Sequence, residues 1–214
     1  MQIIAVDSAR SDVFRPFARP QIRTARLHLC GVSLSDAHEI AEQADDWQVA
    51  RQTPSMPYPY SLNVAEDWVA SAIAAGRRGS DYILVIRRIE DGVLLGAAGL
   101  QINDDHAEIG YWLGRPYWGQ GYATEAVQAV LDYARQELQL NHFKAKVFVD
   151  NAPSARVLRK VGFVPSHEER RFFANRGGIR RVGCYELGAP AHPRFWQRLW
   201  RDLNRLLFGV GAVA

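Results

Sequence analysis

The sequence predicts an α/β (α+β) domain built on one mixed sheet, and two patterns support that fold class. Between residues 82 and 113, apolar runs flank short turns, as in antiparallel hairpins. After residue 122, strand-like runs alternate with segments whose apolar residues recur at helical spacing. Strands that first pair locally and later alternate with helices are typical of a mixed sheet flanked by helices.

The first predicted elements follow from capping residues and prolines. Residues 26–29 alternate polar and apolar side chains, as a half-buried strand does. Ser35 and Asp36 are good N-caps for the helix that follows. Residues 53–60 contain three prolines, which exclude a regular helix there. We expect, in chain order, a strand at 26–29, a helix at 35–44, a loop at 53–60 and a helix at 63–76.

The later elements follow from turn signals and apolar periodicity. The Glu90-Asp91-Gly92 turn lies between two apolar runs, which is a strong hairpin signal. Apolar residues from Ala123 to Leu138 fall on one helical face, and Pro153 opens a short second helix. We expect strands at 82–86, 93–100, 107–113, 145–149, 163–174 and 179–187, and helices at 122–138 and 153–161.

The composition is that of a soluble globular protein. Of 214 residues, 48% are hydrophobic and 23% are charged, which excludes a wholly disordered chain. No apolar stretch approaches the roughly 20 residues that a membrane span needs. The N-terminal segment lacks the apolar core of a signal peptide, and Cys30 and Cys184 are far apart in sequence. We therefore expect a reduced, cytoplasmic chain without a metal site.

The charge excess lies at the C-terminal end. The formal net charge is +3, and residues 189–214 contain four arginines and one aspartate, so the rest is neutral and nucleic-acid binding is not expected. We divide the chain into an N-terminal arm (1–21), one domain (22–188) and a basic amphipathic helix (189–214). Two uses of that helix stay open: it covers its own domain or the second subunit of a homodimer, or it contacts an anionic membrane surface.

One glycine-rich turn carries a chemical signal. The segment Trp118-Gly119-Gln120-Gly121-Tyr122-Ala123-Thr124 joins the strand at 107–113 to the next helix. Its two glycines let the backbone turn tightly and approach a ligand, and the first N–H groups of the helix attract an anion, most naturally a phosphate. Such a turn also occurs merely to change the direction of the chain, so the segment alone leaves both interpretations open.

A second segment favours phosphate binding over a simple change of chain direction. The stretch from Asp150 to Phe163 places polar side chains where a strand ends and a helix begins. Together with the glycine-rich turn and the stretches 24–27 and 108–113, it resembles the GNAT superfamily of acyl-CoA N-acyltransferases. Within that superfamily the chain is most similar to the RimJ/RimL-like group, which includes ribosomal-protein N-terminal acetyltransferases. The four stretches occur in the family's order and span about residues 22–188.

The resemblance implies a V-splayed, mostly antiparallel sheet whose gap admits the pantetheine arm of acetyl-CoA. The pyrophosphate would lie on the N–H groups of residues 119–124. The backbone of Trp112 and Leu113 would pair with the pantetheine amides, and Asn151 would hydrogen-bond the same arm. Trp118 departs from the family, in which Gln or Arg is common at this place, but main-chain donors would still hold the phosphates.

Two residues are candidates for the proton transfers. Glu108 is the candidate base for the amine, directly or through water, unless its carboxylate simply lies on the solvated face of its strand. Many GNAT enzymes protonate the departing thiolate with a tyrosine, but Leu158 stands at that position. The RimL pattern implies that Ser154 takes this role, while the alternative is that Ser154 only satisfies the first turn of its helix.

The sequence indicates less about the acceptor than about the cofactor site. Tyr58, Tyr60 and Tyr111 are expected in the substrate groove, although aromatic residues more often pack in a core. The acidic base of RimL-type enzymes would fall at Phe172-Phe173, and Glu168 and Glu169 are interpreted as solvated charges. We predict an acetyl-CoA-dependent N-acetyltransferase that needs no metal and acts directly on a primary amine. The acceptor could be a protein N-terminus or a small molecule such as an aminoglycoside or polyamine, and the rival class is a non-catalytic acyl-CoA-binding module.

Overall fold

The structure, a computed structural model, describes residues 20–188, in which eight strands form one sheet with five α-helices packed on it. The strands are β1 (Gln21–Arg23), β2 (Leu27–Gly31), β3 (Asp81–Arg88), β4 (Leu94–Ile102), β5 (Ala107–Leu113), β6 (Phe143–Phe148), β7 (Val164–Phe173) and β8 (Gly178–Leu187). The helices are α1 (Ala37–Ala44), α2 (Trp47–Ala50), α3 (Leu62–Arg78), α4 (Tyr122–Glu137) and α5 (Ala152–Lys160). The predicted helix at 189–214 and nearly all of the predicted arm at 1–21 lie outside the described residues.

The sheet is mixed, as the sequence predicts. Its strand order is β1-β2-β3-β4-β5-β6-β8-β7, and β5 with β6 is its one parallel pair within residues 20–188. That pair is short, because only Ala107 with Phe143 and Glu108 with Lys144 are in register. Beyond Glu108 the two strands separate, while each keeps its outer neighbour. The separation divides the sheet into a first half (β1–β5) and a second half (β6–β8), which meet at the base of a V.

Helices cover both faces of this sheet. On one face, α4 and α5 pack over a core to which both halves contribute, including Leu100, Ile109, Val127, Phe143 and Leu158. On the other face, α1 and α3 pack over the first half around Ile40, Val69 and Val85. None of the helices in the described part of the chain is both long and apolar enough to cross a membrane.

The two faces assign the side chains of β5. Successive residues of a strand point to opposite faces, and Ile109 and Leu113 belong to the core under α4 and α5. Tyr111 packs against the same core, whereas Trp112 packs against the core under α1 and α3. Glu108, an even-numbered residue like Trp112, therefore points to the α1/α3 face.

Local sequence signals place most elements within a few residues of their observed bounds. The strand predicted at 107–113 is confirmed, and the proline-rich loop at 53–60 contains no regular helix or strand. Two short elements, β1 and α2, were not predicted. The three residues of β1 pair only with β2, and α2 is a single turn that depends on Asp46, whose Oδ1 accepts from Gln48 N at 2.6 Å.

Candidate active site

A cavity of about 800 Å³ occupies the gap between β5 and β6. One wall is the turn that leads into α4, and a second is the start of α5. The third wall is the segment from Gln52 to Pro57, which follows α2 and is called here the acceptor loop. The three stretches that the sequence marks as functional, around 108–113, 118–124 and 151–154, thus meet at one cavity.

Two glycines shape the turn into α4. Gly119 has φ 76° and Gly121 has φ 83°, both in the left-handed region that L side chains enter only at a cost. Gly121 is the N-cap of α4, so the N–H groups of Tyr122, Ala123 and Thr124 have no acceptor inside the helix. These three residues line the cavity. Free N–H groups at the positive end of a helix dipole suit a diphosphate.

The carboxylate of Glu125 ties this turn to the stretch before β2. Thr24 Oγ1 donates to Glu125 Oε1 at 2.6 Å. Arg26 donates twice to the same carboxylate: its main-chain N–H donates to Oε1 at 3.0 Å, and its Nε donates to Oε2 at 2.7 Å. Burial raises the pKa of Glu125, but the hydrogen bonds from Thr24 and Arg26 outweigh it and the net pKa is lowered. No local sequence pattern indicates this role, because the partners lie about a hundred positions apart.

Arg26 also contacts the turn itself. Its Nη1 donates to Gln120 O at 3.0 Å, and its guanidinium carbon lies 4.5 Å from the centroid of the Tyr122 ring. Gln120 was predicted to bind the cofactor, but its side chain donates to Pro116 O at 2.9 Å and it does not line the cavity. The neighbouring residues Trp118, Gly119 and Gly121 do line it.

The ladder between β4 and β5 fixes which main-chain groups face the gap. Gly114 N donates to Leu95 O at 2.8 Å at one end, and Asn103 N donates to His106 O at 2.9 Å at the other. In an antiparallel ladder, hydrogen-bonded pairs alternate along the strand. Even-numbered residues of β5 therefore direct their N–H and C=O groups to β4, and odd-numbered residues direct theirs to the gap.

This alternation corrects one expectation and supports another. The main chain of Trp112 faces β4, so this residue contributes its side chain to the cavity and is not placed to pair with pantetheine amides. The main chain of Leu113 and of Tyr111 faces the gap. Leu113 O already accepts from Trp118 Nε1 at 2.8 Å, which leaves the Leu113 N–H and both main-chain groups of Tyr111 for an added strand-like ligand.

Asn151 and Ser154 form the start of α5. Asn151 is buried, and its Oδ1 accepts from Ser154 N at 3.1 Å, so the side chain caps the helix. Because an amide group also carries two N–H donors, Asn151 can still bond a ligand in the cavity that it lines. The capping role of Asn151 frees the Ser154 side chain from that task.

The hydroxyl groups of Ser154 and Tyr111 form a pair. Their oxygens are 2.8 Å apart, and Tyr111 Oη also donates to Ser154 O at 3.1 Å. Burial raises the pKa of Tyr111 to about 12, although the bond to Ser154 acts in the opposite direction. A tyrosine hydroxyl thus reaches the site from β5, although Leu158 leaves none on α5. Sequence analysis had placed Tyr111 only in the acceptor groove.

Glu108 lines the cavity at the base of the V, on the face opposite the hydroxyl pair. Its Oε2 accepts from Lys146 Nζ at 3.1 Å, and the two side chains are 30% and 32% exposed. The carboxylate therefore faces the cavity and is paired with a cation. Lys146 carries no motif in the sequence, and only the meeting of β5 with β6 reveals it.

The predicted groove tyrosines separate into two groups. Tyr60 is buried and lines the cavity, and burial raises its pKa to about 12. Its N–H donates to Asp45 Oδ1 at 2.8 Å, which fixes the end of the loop. Tyr58 does not line the cavity, because its half-exposed ring packs on Trp47 with 5.7 Å between centroids. The structure therefore brings Tyr60 and Tyr111, but not Tyr58, to the site.

The end of β7 contributes no carboxylate to the cavity. Phe172 is 71% exposed, and Phe173 packs edge-on against Phe148 with 5.1 Å between centroids. Glu168, interpreted from sequence as a solvated charge, pairs with Arg181 at 2.5 Å and does not line the cavity. The position at which RimL-type enzymes would carry a base is therefore occupied by one exposed and one packed phenylalanine, neither of which can accept a proton.

One group of side chains among residues 20–188 has the chemistry of a metal site. Ligand atoms of His167, Glu169 and Cys184 lie within 4.8 Å of one another on neighbouring strands, which no sequence spacing predicted. Burial raises the pKa of the Cys184 thiol, and Glu169 Oε1 lies 3.6 Å from Arg171 Nη1. A cation there would have to displace that guanidinium group. The group does not line the cavity.

A sheet that opens into a V, with a glycine turn and helix N-terminus at one side of the gap, defines the class of acyltransferases that hold a coenzyme A thioester in a splayed sheet. Comparison with known families agrees. Residues 26–164 match the family described as acetyltransferase (GNAT) domain, and the chain belongs to this family of acetyltransferases.

Individual relatives are similar over most of the chain. The uncharacterized N-acetyltransferase p20 of Bacillus licheniformis is 30% identical over 169 residues, which cover 77% of this chain and 93% of p20. Among solved structures, RimJ of Mycobacterium smegmatis in complex with CoA-disulfide has a TM-score of 0.71 at 24% identity, covering 82% of this chain and 88% of RimJ. The L7/L12 acetyltransferase RimL with coenzyme A has a TM-score of 0.70 at 21% identity, covering 79% and 98%. These two likenesses show a shared fold.

Proposed function

We propose that this acetyltransferase moves the acetyl group of acetyl-CoA directly to a primary amine, the N-terminal α-amine of a protein. The observation that carries the proposal is the cavity between β5 and β6, with the Tyr111–Ser154 hydroxyl pair on one face and the Glu108 carboxylate on the other. A thioester carbonyl in this gap would meet a proton acceptor on one side and proton donors on the other. Acetyl transfer to an amine needs both.

The donor substrate is held mainly by main-chain groups. The N–H groups of residues 119 and 121–124 bind the diphosphate, and the left-handed glycines allow the backbone to present them. The pantetheine arm lies along β5 as an added strand, bonded by Tyr111 and Leu113 where β6 has separated. Asn151 adds a side-chain N–H from the start of α5.

The proton transfers follow from the two faces. Glu108 accepts a proton from the amine, directly or through water, and the nitrogen lone pair forms the new C–N bond at the thioester carbonyl. When the tetrahedral intermediate collapses, the C–S bond breaks and the thiolate takes the Ser154 hydroxyl proton. Tyr111 returns a proton to Ser154, because a hydroxyl with a pKa of about 12 remains protonated at neutral pH. Tyr111 regains its proton from solvent, and Glu108 releases to solvent the proton that it took from the amine. An amine that arrives protonated gives up one further proton to solvent. Coenzyme A and the amide leave, and no acetyl-enzyme forms.

The chemistry of the base favours an α-amine. At pH 7 about a tenth of α-amines are neutral, against roughly one lysine in 10³. A site whose candidate base already accepts from Lys146 through one of its oxygens suits the less demanding amine. Relatives support the same acceptor: the ribosomal-protein-serine acetyltransferase of Escherichia coli is 41% identical over 58 residues, 27% of this chain and 32% of that protein.

The test is the release of free coenzyme A with a panel of amines. The panel contains peptides with a free N-terminus, the same peptides acetylated at the N-terminus but carrying an internal lysine, polyamines and aminoglycosides. We expect turnover on the free N-termini, with mass spectrometry placing the acetyl group on the α-nitrogen, and little turnover on the blocked peptides.

Two outcomes would contradict the proposal in different ways. Turnover confined to polyamines or aminoglycosides would keep the acetyltransferase and replace the acceptor. Tight acetyl-CoA binding by calorimetry without turnover on any amine would instead indicate an acyl-CoA-binding module.

A further inference from the structure

One arginine bridges the open end of the V. Arg176 lies in the turn between β7 and β8, in the second half of the sheet, whereas the acceptor loop follows α2 on the other side of the gap. Arg176 Nη2 donates to Thr53 O and to Met56 O, each at 2.6 Å, and to Ala50 O. Three carbonyls of one segment therefore converge on one guanidinium group.

A second bond from the same turn reaches the same loop. Asn175 Nδ2 donates to Pro54 O at 3.1 Å. Because Pro54 and Pro57 carry no N–H, the loop has few main-chain donors with which to hold itself in a regular structure. At the start of the loop, Gln52 N and Thr53 N donate to Val49 O and Ala50 O, whereas the hydrogen bonds to Pro54 O and Met56 O come from the β7–β8 turn.

The loop held in this way forms one wall of the cavity. Its contribution to that wall comes from six consecutive residues, Gln52, Thr53, Pro54, Ser55, Met56 and Pro57. Arg176 does not itself line the cavity, and the glycine turn at α4 belongs to a different wall. A change at Arg176 can therefore alter the acceptor wall without touching the groups assigned to acetyl-CoA.

We propose that Arg176 is a positioning residue for the acceptor: by fixing the acceptor loop across the mouth of the gap, it sets how the amine is oriented toward Glu108. This inference rests on the proposed function, in which the amine enters on the Glu108 side. A guanidinium group suits the task because its donors are fixed in one plane: Nη2 shares its two hydrogens among the three carbonyls of the segment, while Nη1 donates to Asn175 O at 2.7 Å. An ammonium group would present its donors with less fixed geometry.

The rest of the hairpin does not depend on this contact. β8 is in register with β6 from Phe143 with Leu187 to Phe148 with Val182, and with β7 along its length. Arg176→Ala should therefore fold, with a loosened acceptor loop as the main change. A matched control is Arg181→Ala in the same hairpin, where the guanidinium is 65% exposed and bonds Glu168.

The experiment compares Arg176→Ala, Arg176→Lys and Arg181→Ala with the wild type. It measures kcat and KM for the best amine of the panel, the Kd of acetyl-CoA by calorimetry, and hydrogen exchange of the 50–57 segment without substrate.

For Arg176→Ala we expect a loss of kcat/KM for the amine of about ten- to a hundredfold, because misplacing an orienting wall costs this order of rate. Exchange at 50–57 should rise and the acetyl-CoA Kd should not change. The Lys variant should be intermediate and Arg181→Ala should match the wild type.

The proposal and the proposed function fail on different readouts. Unchanged amine kinetics in Arg176→Ala, unchanged exchange at 50–57, or an equal effect of Arg181→Ala would overturn the role of Arg176. A wild-type protein that acetylates no amine would overturn the proposed function, and the exchange measurement would still decide whether Arg176 holds the loop. If Arg176→Ala does not fold, Asn175→Ala removes the neighbouring bond and should show a smaller effect of the same kind.

Discussion

Two of the three walls of the cavity are built in different ways. The wall at α4 is a contiguous turn, in which the left-handed glycines Gly119 and Gly121 present main-chain N–H groups. The acceptor loop has no regular structure, and its main external support is Arg176, which lies 123 positions from Thr53. The first wall is thus specified by local sequence and the second by distant contacts.

The contrast explains how one fold can keep its donor substrate and change its acceptor. Main-chain donors do not depend on side-chain identity, so we expect the site proposed at α4 to tolerate side-chain replacement provided that the glycines remain. A loop held by a few side-chain bonds changes shape when either partner changes. Substitutions at the centre of the cavity, such as at the hydroxyl pair, or on the α4 wall should therefore change the turnover of every amine by the same factor. Substitutions on the acceptor side should change the turnover of different amines by different factors.

The largest expected effect is at the hydroxyl pair. Ser154→Ala should lower kcat about a hundredfold for every amine that the wild type accepts, because general acid catalysis contributes about this much. The acetyl-CoA Kd should stay the same, because the Ser154 N–H still bonds Asn151 Oδ1. Single-turnover kinetics and calorimetry check the two statements.

The hydroxyl of Tyr111, which pairs with that of Ser154, provides the control for this prediction. Tyr111→Phe should cost less than Ser154→Ala, because it keeps the ring and removes only the return of the proton, and the double variant should be no worse than Ser154→Ala alone. Losses that multiply in the double variant would show that the two hydroxyls act independently and would end the idea of a pair.

Next in size is the effect at Glu108. Glu108→Gln should lower kcat/KM for a peptide N-terminus by roughly tenfold or more at pH 7, because about nine-tenths of the α-amine is then protonated and needs a base. Above about pH 9 the amine is neutral by itself, so the variant should approach the wild type. The pH profile of kcat/KM is the measurement, and a loss that is the same at pH 7 and pH 9 would remove Glu108 as the base.

A smaller effect is expected at the glycine turn, where the chain offers a closely matched control. Gly119 has φ 76° and Gly92 in the β3–β4 turn has φ 74°, and a Cβ added at either glycine would meet no atom within 4 Å beyond its chain neighbours. Replacement of either glycine by Val costs about 1–2 kcal/mol in the left-handed conformation.

Gly119→Val should raise the acetyl-CoA Kd about tenfold, because the turn relaxes away from its ligand-binding form. Gly92→Val should lower only the thermal midpoint. Equal acetyl-CoA affinities in the two variants would contradict the phosphate site.

The contrast between the α4 wall and the acceptor loop also shows which features the sequence alone can predict. The glycine turn, the strand at 107–113 and the start of α5 were predicted because each depends on neighbours within a few residues. Tyr111 was recognised as a site residue, but its pairing with Ser154 spans 43 positions and follows only from the packing of α5 on β5. Lys146 and Arg176 have no local signal, because the partner of Lys146 lies on β5 and those of Arg176 Nη2 lie in the 50–56 segment. The V itself was implied by family resemblance, since no local pattern records that β5 and β6 pair over only two residues.

The smallest effect concerns a long-range tie of the α4 wall, the bonds of Glu125 to Thr24 and Arg26. Glu125→Gln should cost about 1 kcal/mol of unfolding free energy at pH 7, because the Arg26 side chain is 46% exposed and water screens the pair. The lowered pKa of Glu125 gives the pH dependence. Its stabilisation is complete above the unfolded pKa of about 4.3 and is lost as the pH falls through the lower folded value.

Urea unfolding of Glu125→Gln and wild type at about pH 7 and pH 3 tests this sign, with the exposed Glu66→Gln on α3 as control. The difference between wild type and Glu125→Gln should shrink at the lower pH, and a constant difference would mean that the charge is not what holds the turn. The acetyl-CoA Kd of the same variant tests the contrast between the walls. If the α4 wall is specified locally, that Kd changes far less than in Gly119→Val. A change of equal size would mean that the glycine turn, like the acceptor loop, takes its shape from a distant side chain.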